Sequence, residues 1–374
     1  MESPMQTAET LLARLVGFDS VVGRPNAPII DFVRSWLAEH GVRAHVLPGS
    51  EGDRANLFAT LGPADQPGYV LSGHLDVVPA TESGWQGDPF TLRSVEGRLI
   101  GRGACDMKGF VAAMLAMVPT LASMDLRVPL HLALSYDEEA GCRGVPHLLA
   151  ALPHLCAPPA GAIIGEPSNL TPVLAHKGKA AMRLTARGVP GHSSRPDLGA
   201  NAIHALVPAL AAAVAQASAL EAGPQDLRFA PPFCSLQIGT IAGGQAVNII
   251  PGAASAEIEA RAIAGVDPLA LLEPVRAAAR AAGVAVQELS HYPALALDPG
   301  DPLAALIRDL SGRAPLGAVS YGTEAGLYQQ AGIPAVICGP GDIARAHKPE
   351  EYLTTDEMAA TCAMIRRLGE HACV

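Results

Sequence analysis

Short apolar runs that end, one after another, in a carboxylate or an imidazole are what most constrain how this chain can fold. Tyr69-Val-Leu-Ser-Gly leads into His74 and Asp76, and Leu130–Leu134, apolar apart from His131, leads into Ser135-Tyr-Asp-Glu138-Glu139. Ile163-Ile-Gly leads into Glu166, and Ala335-Val-Ile-Cys338 into a Gly-Pro-Gly turn followed by His347. Continuous apolar runs of this length read as strands buried on both faces, and helical patterns separate them. The spacing therefore predicts an α/β layer architecture with a sheet covered by helices. Open sheets of that kind bind ligands outside the carboxyl ends of their strands, which is where these acids and imidazoles fall.

A sixth position, Asp106 in Gly101-Arg-Gly-Ala-Cys-Asp-Met-Lys-Gly109, completes a set of His74, Asp106, Glu138, Glu139, Glu166 and His347. Two imidazoles with several carboxylates suit zinc, cobalt or manganese, and the set holds more carboxylates than one ion needs, which points to a two-metal hydrolytic centre. Plainer readings stand beside each member. His74 suits a satisfied loop histidine, with Asp76, two residues on, taking its second proton or sitting behind it to fix its tautomer. Asp106 suits the N-cap of the helix that follows, and Cys105 an inert thiol. The acids at 137–139 suit a solvated loop, or else one glutamate binds metal while its neighbour takes a proton from water. Several such positions at strand ends of one fold half are far less expected by chance than any one alone.

Helical patterns at Thr7–Phe18, Ala27–His40 and Met107–Met124 alternate with strands as far as Ala162–Ile164. Near His176 the texture changes to alternating strands and helices in the order β-α-β-β-α-β, a ferredoxin-like α+β unit. The expected division is a catalytic domain over 1–176 and 294–374, interrupted by an inserted domain over 177–293. With 49% hydrophobic residues in 374, the chain can bury a large core. A net charge of −10 without a basic run excludes nucleic acid and anionic membranes as expected partners. Seven cysteines without a CxxC pair read as reduced thiols. No leader pattern and no apolar run near ~18 residues are found, so a soluble cytoplasmic protein is expected.

The blocks GHLDVVP, GRGACDMKGF, DEEAGC, GEPS, GHSSRP and YGTEAGL…GPGDIARAHKPEEYL, in this order from about residue 5 to the C-terminus, resemble the M20 family of dinuclear zinc peptidases and deacylases. The resemblance implies two divalent ions, zinc with cobalt possible: His74 and Glu166 would hold one, Glu139 and His347 the other, and Asp106 would bridge them. It implies Asp76 as the residue orienting His74, Glu138 as general base, and a cis Asp106–Met107 peptide. The inserted domain becomes a lid and dimer surface, with His192 of one subunit stabilising the oxyanion in its partner. Without the resemblance His192 is an exposed loop histidine. Asn248, Arg261, Gly322 and Thr323 fall where family members hold substrate, although Arg261 also suits a cross-strand ion pair with its acidic neighbours. Glu324 suits either recognition of a distal ammonium or a helix-start charge. The implied reaction is hydrolysis of a small N-acyl amino acid, N2-acetyl-L-ornithine foremost, by a homodimer. A desuccinylase of succinyl-diaminopimelate, a general aminoacylase and a dipeptidase would share the same metal residues. A non-catalytic binding protein on this scaffold is the reading from another class.

Overall fold

The computed structural model describes residues 3–315 and 317–374. It divides into two compact units: Met1–Ala175, Leu297–Gly317 and Thr323–Val374 form the first, His176–Ala296 and Ala318–Gly322 the second. The last five-residue piece lies beyond the expected single insertion. Val319 forms a parallel bridge to His176, which ties that piece to the second unit.

The first unit begins with α1 (Pro4–Val16), α2 (Ala27–Glu39), β1 (Ala44–Pro48), β2 (Ala55–Leu61) and β3 (Tyr69–His74), and continues through α3 (Lys108–Ala122), β4 (Leu130–Ser135), α4 (Val145–Ala151) and β5 (Gly161–Pro167). The second unit follows with β6 (Gly178–Arg187), α5 (Ala202–Leu220), β7 (Ser235–Gly243), β8 (Ala253–Ala262), α6 (Pro268–Ala281) and β9 (Ala285–Tyr292). The chain returns to the first unit through α7 (Pro302–Ser311), α8 (Ala325–Gln330), β10 (Ala335–Gly339) and α9 (Thr355–His371).

The sheet of the first unit runs β1-β2-β4-β3-β5-β10. β1 and β2 pair antiparallel, as do β2 and β4; from β4 onward every pairing is parallel. The parallel strands are buried along their whole length, which is why their sequences are continuous apolar runs rather than alternating ones. Residues 72 and 73 show the two layers directly. A Cβ on Gly73 would lie against Val111 and Met107, at the start of α3, whereas the Ser72 hydroxyl contacts Glu324 and Tyr328 at α8. Successive strand residues face opposite ways, so α3 and α8 cover opposite faces. α3 is buried without a break from Lys108 to Val118 and packs against α1 and α9, a helix apolar all round because it is enclosed all round. Capping boxes of Ser3 with Gln6 and Thr354 with Glu357 start α1 and α9.

In the second unit the strand order is β7-β8-β6-β9, all antiparallel, the ferredoxin-like arrangement. β8 alternates strictly between buried and half-exposed residues because α5 and α6 cover one face of the sheet. α5 is apolar but poorly covered, with Val207 and Val214 exposed. A small sheet of Arg93–Val95, Arg98–Ile100 and Tyr352–Thr354 in the first unit went unforeseen, since three-residue strands carry too short a pattern to read.

Candidate active site

β4, β3 and β5 are adjacent and parallel, so their carboxyl ends bring His74, the Asp137–Glu139 loop and Glu166 to one edge of the sheet; the loop after β10 adds His347. Close approach there requires a glycine. A Cβ on Gly165 would lie 2.0 Å from the Phe110 ring, so only hydrogen fits beside Glu166. Asp137, Cys142, His347 and Glu350 all have φ between 51° and 59°, left-handed backbone gathered in the loops that carry these side chains.

Asp106 faces both imidazoles, and two groups that share His74 bring their donor atoms close enough to hold an ion: His74, Asp106 and Glu139, and His74, Glu138 and Glu166. His74 Nε2 lies 3.1 Å from Asp106 Oδ1 and 3.6 Å from Glu166 Oε1. His347 Nε2 lies 3.3 Å from Asp106 Oδ2 and 3.0 Å from Glu139 Oε1. One oxygen of Asp106 thus faces each imidazole. Met107, rather than Asp106, occupies the cap position of α3, and no side chain caps that helix, so the capping alternative for Asp106 does not hold. The Asp106–Met107 peptide is cis. Glu138 places a carboxylate oxygen within 4.8 Å of donor atoms of His74 and Glu166.

The shifts of these groups report crowding of negative charge. Burial pushes Glu138 up to about 8, opposed by His74 and aided by the charges of Glu139 and Asp76. Burial, then the neighbouring carboxylates, pushes Glu166 well above its ordinary value and raises Glu139. Burial works against ionised Asp106 too, but hydrogen bonds from His347 and His74 hold it well below the usual carboxylate range. Hydrogen bonds to Asp106 and Glu139 push His347 up to about 10, and His74 rises because Asp106 and its neighbours outweigh burial. Every group apart from Asp106 is driven towards holding a proton, a demand that divalent cations would meet in place of protons. Two imidazoles and four carboxylates fit such ions.

His74 is oriented from behind. Its Nδ1 is 2.9 Å from the backbone oxygen of Asp76, an acceptor only, so the proton sits on Nδ1 and Nε2 faces the cluster. The Asp76 carboxylate, 3.7 Å from Nδ1, instead accepts the N–H groups of Glu138 and Glu139, each at 3.1 Å. Asp76 therefore positions both the imidazole and the paired glutamates. Cys105 is buried, its thiol pushed well up by burial and by Glu351 and Asp106, and it points at the Asp342 carbonyl oxygen. Thr323 is buried and its hydroxyl accepts the Ala325 N–H at the start of α8. Glu324 does stand at the start of α8, but inside the protein rather than at its surface. It is 1% exposed, accepting the Ser72 hydroxyl at 2.5 Å and the Ser135 hydroxyl at 2.8 Å beneath the ends of β3 and β4.

The second unit holds the remaining predicted residues. His192 is exposed, and its Nδ1 accepts the Ser194 N–H at 3.2 Å and lies 2.7 Å from the Ser194 hydroxyl. The other ring nitrogen, Nε2, then carries the proton. Gly191–His192 pairs with Ile249–Ile250, and Asn248 O accepts the Ser193 N–H at 3.0 Å, so His192 and Asn248 share one ribbon. Arg261 pairs with Glu259 at 2.6 Å, two residues back on the same strand rather than across the sheet. Its Nη1 also reaches the Tyr292 hydroxyl at 3.3 Å. Gly322 packs against that same tyrosine, 2.4 Å from where a Cβ would stand, so only a glycine fits there.

The Peptidase family M20/M25/M40 pattern matches residues 70–371. An acetylornithine deacetylase from Myxococcus xanthus is 34% identical over 395 aligned residues, spanning 100% of this chain and 99% of that protein. The chain belongs to the M20 peptidase family. Among solved structures, an M20-family metallo-carboxypeptidase from Sulfolobus solfataricus shares the fold with a TM-score of 0.81 at 18% identity, covering 100% of both chains. A dinuclear metal-binding M20 peptidase from Bacillus subtilis has a TM-score of 0.63 at 15% identity over 98% of this chain and 97% of that one. The protein is accordingly an M20 metallo-hydrolase of amide bonds.

In this M20 chain several supporting residues carried no readable signal in the sequence. Ser72 and Ser135 look like ordinary strand serines, and their partner Glu324 is about 190 to 250 residues away. The Cys142 thiol lies 3.3 Å from Glu138 Oε1 and holds its carboxylate. Arg102 and Glu351 form a buried pair behind Asp106. Only the side-by-side acids Glu350–Glu351, close after His347, hinted at the last of these.

Proposed function

We propose that this protein hydrolyses the amide of a free N-acyl amino acid, foremost N2-acetyl-L-ornithine to L-ornithine and acetate, as a step of arginine biosynthesis in the cytoplasm. The observation that carries the reading is Asp106, which turns one carboxylate oxygen to each imidazole, with Glu139 and Glu166 beside them. The Glu138 carboxylate adjoins this cluster and is held by a thiol. In this reading His74, Glu166 and Asp106 hold one divalent ion, and His347, Glu139 and Asp106 the other; zinc fits, and so does cobalt. Bound there, the ions would supply Lewis acidity and activate water as a nucleophile at neutral pH.

Glu138 takes a proton from the attacking water and returns it to the departing amine, tasks for which its carboxyl beside the cluster is placed. His192 offers an Nε2–H to the oxyanion of a partner subunit. Arg261 and Asn248 anchor the α-carboxylate, which favours free amino-acid derivatives over interior peptide bonds. The exposed apolar face of α5, with Val207 and Val214, supports a homodimer formed through the lid unit. The seven cysteines are all unpaired, in keeping with a reducing compartment. The acetylornithine deacetylase relatives favour the acetyl-ornithine substrate over the desuccinylase, aminoacylase and dipeptidase alternatives.

Glu138→Gln tests the chemistry. Metal content should stay at the wild-type level while turnover of acetyl-ornithine falls roughly 10²–10⁴-fold, the usual loss of a general acid–base. Unchanged turnover rejects the role. A panel of acetyl-ornithine, succinyl-diaminopimelate, acetyl-methionine and a dipeptide tests the substrate, and a higher kcat/KM for any of the last three overturns that choice.

A further inference from the structure

Arg102 and Glu351 are each 1% exposed, an unusual depth for two charged groups that the proposed chemistry does not use. Glu351 Oε2 accepts from Arg102 Nη1 at 2.8 Å. Its Oε1 accepts two backbone N–H groups, that of Cys105 at 2.9 Å and that of Asp106 at 3.0 Å. Arg102 Nη2 donates to Glu82 Oε1 at 2.8 Å and to the Pro79 carbonyl at 3.3 Å, and the guanidinium lies over Trp85, 5.3 Å from the ring centroid. The Glu351 carbonyl also accepts the Gly101 N–H at 3.0 Å. The Gly101–Asp106 loop and the loop carrying His347 are thereby stitched together at both ends.

Two consequences follow for Asp106. Its own N–H is held, which fixes its main chain between His74 and His347. A carboxylate that serves two centres tolerates little displacement, because a shift towards one lengthens the contact with the other. His347 sits four residues before Glu351 with φ 59°, so the same anchor restrains that imidazole as well. His74 and Glu166 stand on β3 and β5 of the central sheet, so their position depends on the anchor through Asp106 alone, whereas the other depends on it through both Asp106 and His347.

Resting on the two-cation reading of the cluster, we infer that Glu351, with Arg102 as its counter-charge, is a positioning residue that supports the Asp106–Glu139–His347 position more strongly than the Asp106–His74–Glu166 position. The test is titration of the metal-free protein with cobalt(II), followed by visible absorption and by metal content after gel filtration. Wild type takes up two equivalents; fewer would reject the two-cation reading itself rather than the role of Glu351. Glu351→Ala removes the acceptor of both N–H groups. The second equivalent should weaken by about 10–100-fold, the usual effect of losing a group that supports a ligand, and the first by clearly less, so that the ratio of the two affinities changes. If that variant does not fold, Glu351→Asp, one methylene too short to reach both Arg102 and the two N–H groups, is measured in its place. The double variant Arg102→Met/Glu351→Gln keeps an oxygen acceptor without a buried charge, and should return the second affinity to within about threefold of wild type. A merely structural pair would lower the melting temperature of each variant and leave the ratio of the two affinities unchanged. An unchanged ratio, whether neither affinity moves or both weaken alike, overturns the inference.

Discussion

His131 gives the most quantitative prediction. It lies in the middle of β4, 0% exposed, with Nδ1 2.9 Å from the Thr60 hydroxyl and its ring stacked on Phe58 at 5.3 Å between centroids. Its Nε2 is buried without a partner, so the fold accepts only the neutral ring. Burial pushes its pKa from 6.5 down to about 4. The folded group binds its proton less readily than the unfolded one. Between pH 6.5 and pH 4 the unfolded chain therefore holds more protons, and stability falls as pH falls through that window. A shift of this size corresponds to about 3 kcal/mol when complete, and about 2 kcal/mol by pH 5. His131→Phe keeps the ring and removes the titration. Urea unfolding followed by tryptophan fluorescence reads the first unit, since both tryptophans, Trp36 and Trp85, belong to it. At a slope of about 3 kcal/mol per molar urea, wild type should lose roughly 0.7 M of midpoint more than the variant between pH 7.5 and pH 5. Acidic groups common to both proteins cancel in the comparison. Parallel pH dependences in the two proteins would refute the account of a neutral, desolvated imidazole.

Chelation should abolish turnover and lower the melting temperature, with both restored by zinc or cobalt; ions at 100 times their dissociation constant would contribute about 2.7 kcal/mol each. A chelated protein that stays active would contradict a metal-dependent mechanism. Glu324→Ala leaves the Ser135 hydroxyl without its acceptor, at about 1–3 kcal/mol, while Ser72 keeps the Tyr328 hydroxyl. Thermal unfolding of the first unit should drop by roughly 2–4 °C per kcal/mol, and an unchanged midpoint would dismiss the network. Val207→Glu/Val214→Glu on α5 should halve the mass seen in sedimentation; an unaltered mass would place the dimer surface elsewhere.

Much of the fold was legible because its signals are local. The parallel strands are buried on both faces, so they read as apolar runs, and strands of that kind deliver their following residues to one edge of a sheet. That reasoning alone placed His74, Glu138, Glu139 and Glu166 near one another. The inserted unit was legible from its change to alternating patterns, because one face of its sheet is covered and the other is not. Three-residue strands and the return of Ala318–Gly322 were not, since each depends on a partner far away in the chain.

The sequence by itself determined which residue types stand at the strand ends, and hence the chemistry open to them. Tertiary structure alone decided how they divide the work. Asp106 turns one oxygen to each imidazole instead of capping α3, and Asp76 meets His74 with its backbone while its carboxylate holds the glutamate pair. Glu324 is drawn under the sheet by two serines, and Glu351 reaches back some 245 residues to the amide of Asp106. The reason is physical. A residue's chemical type is a property of the local chain, whereas which hydrogen-bond partner it finds is settled only when distant segments are packed and water is excluded from between them.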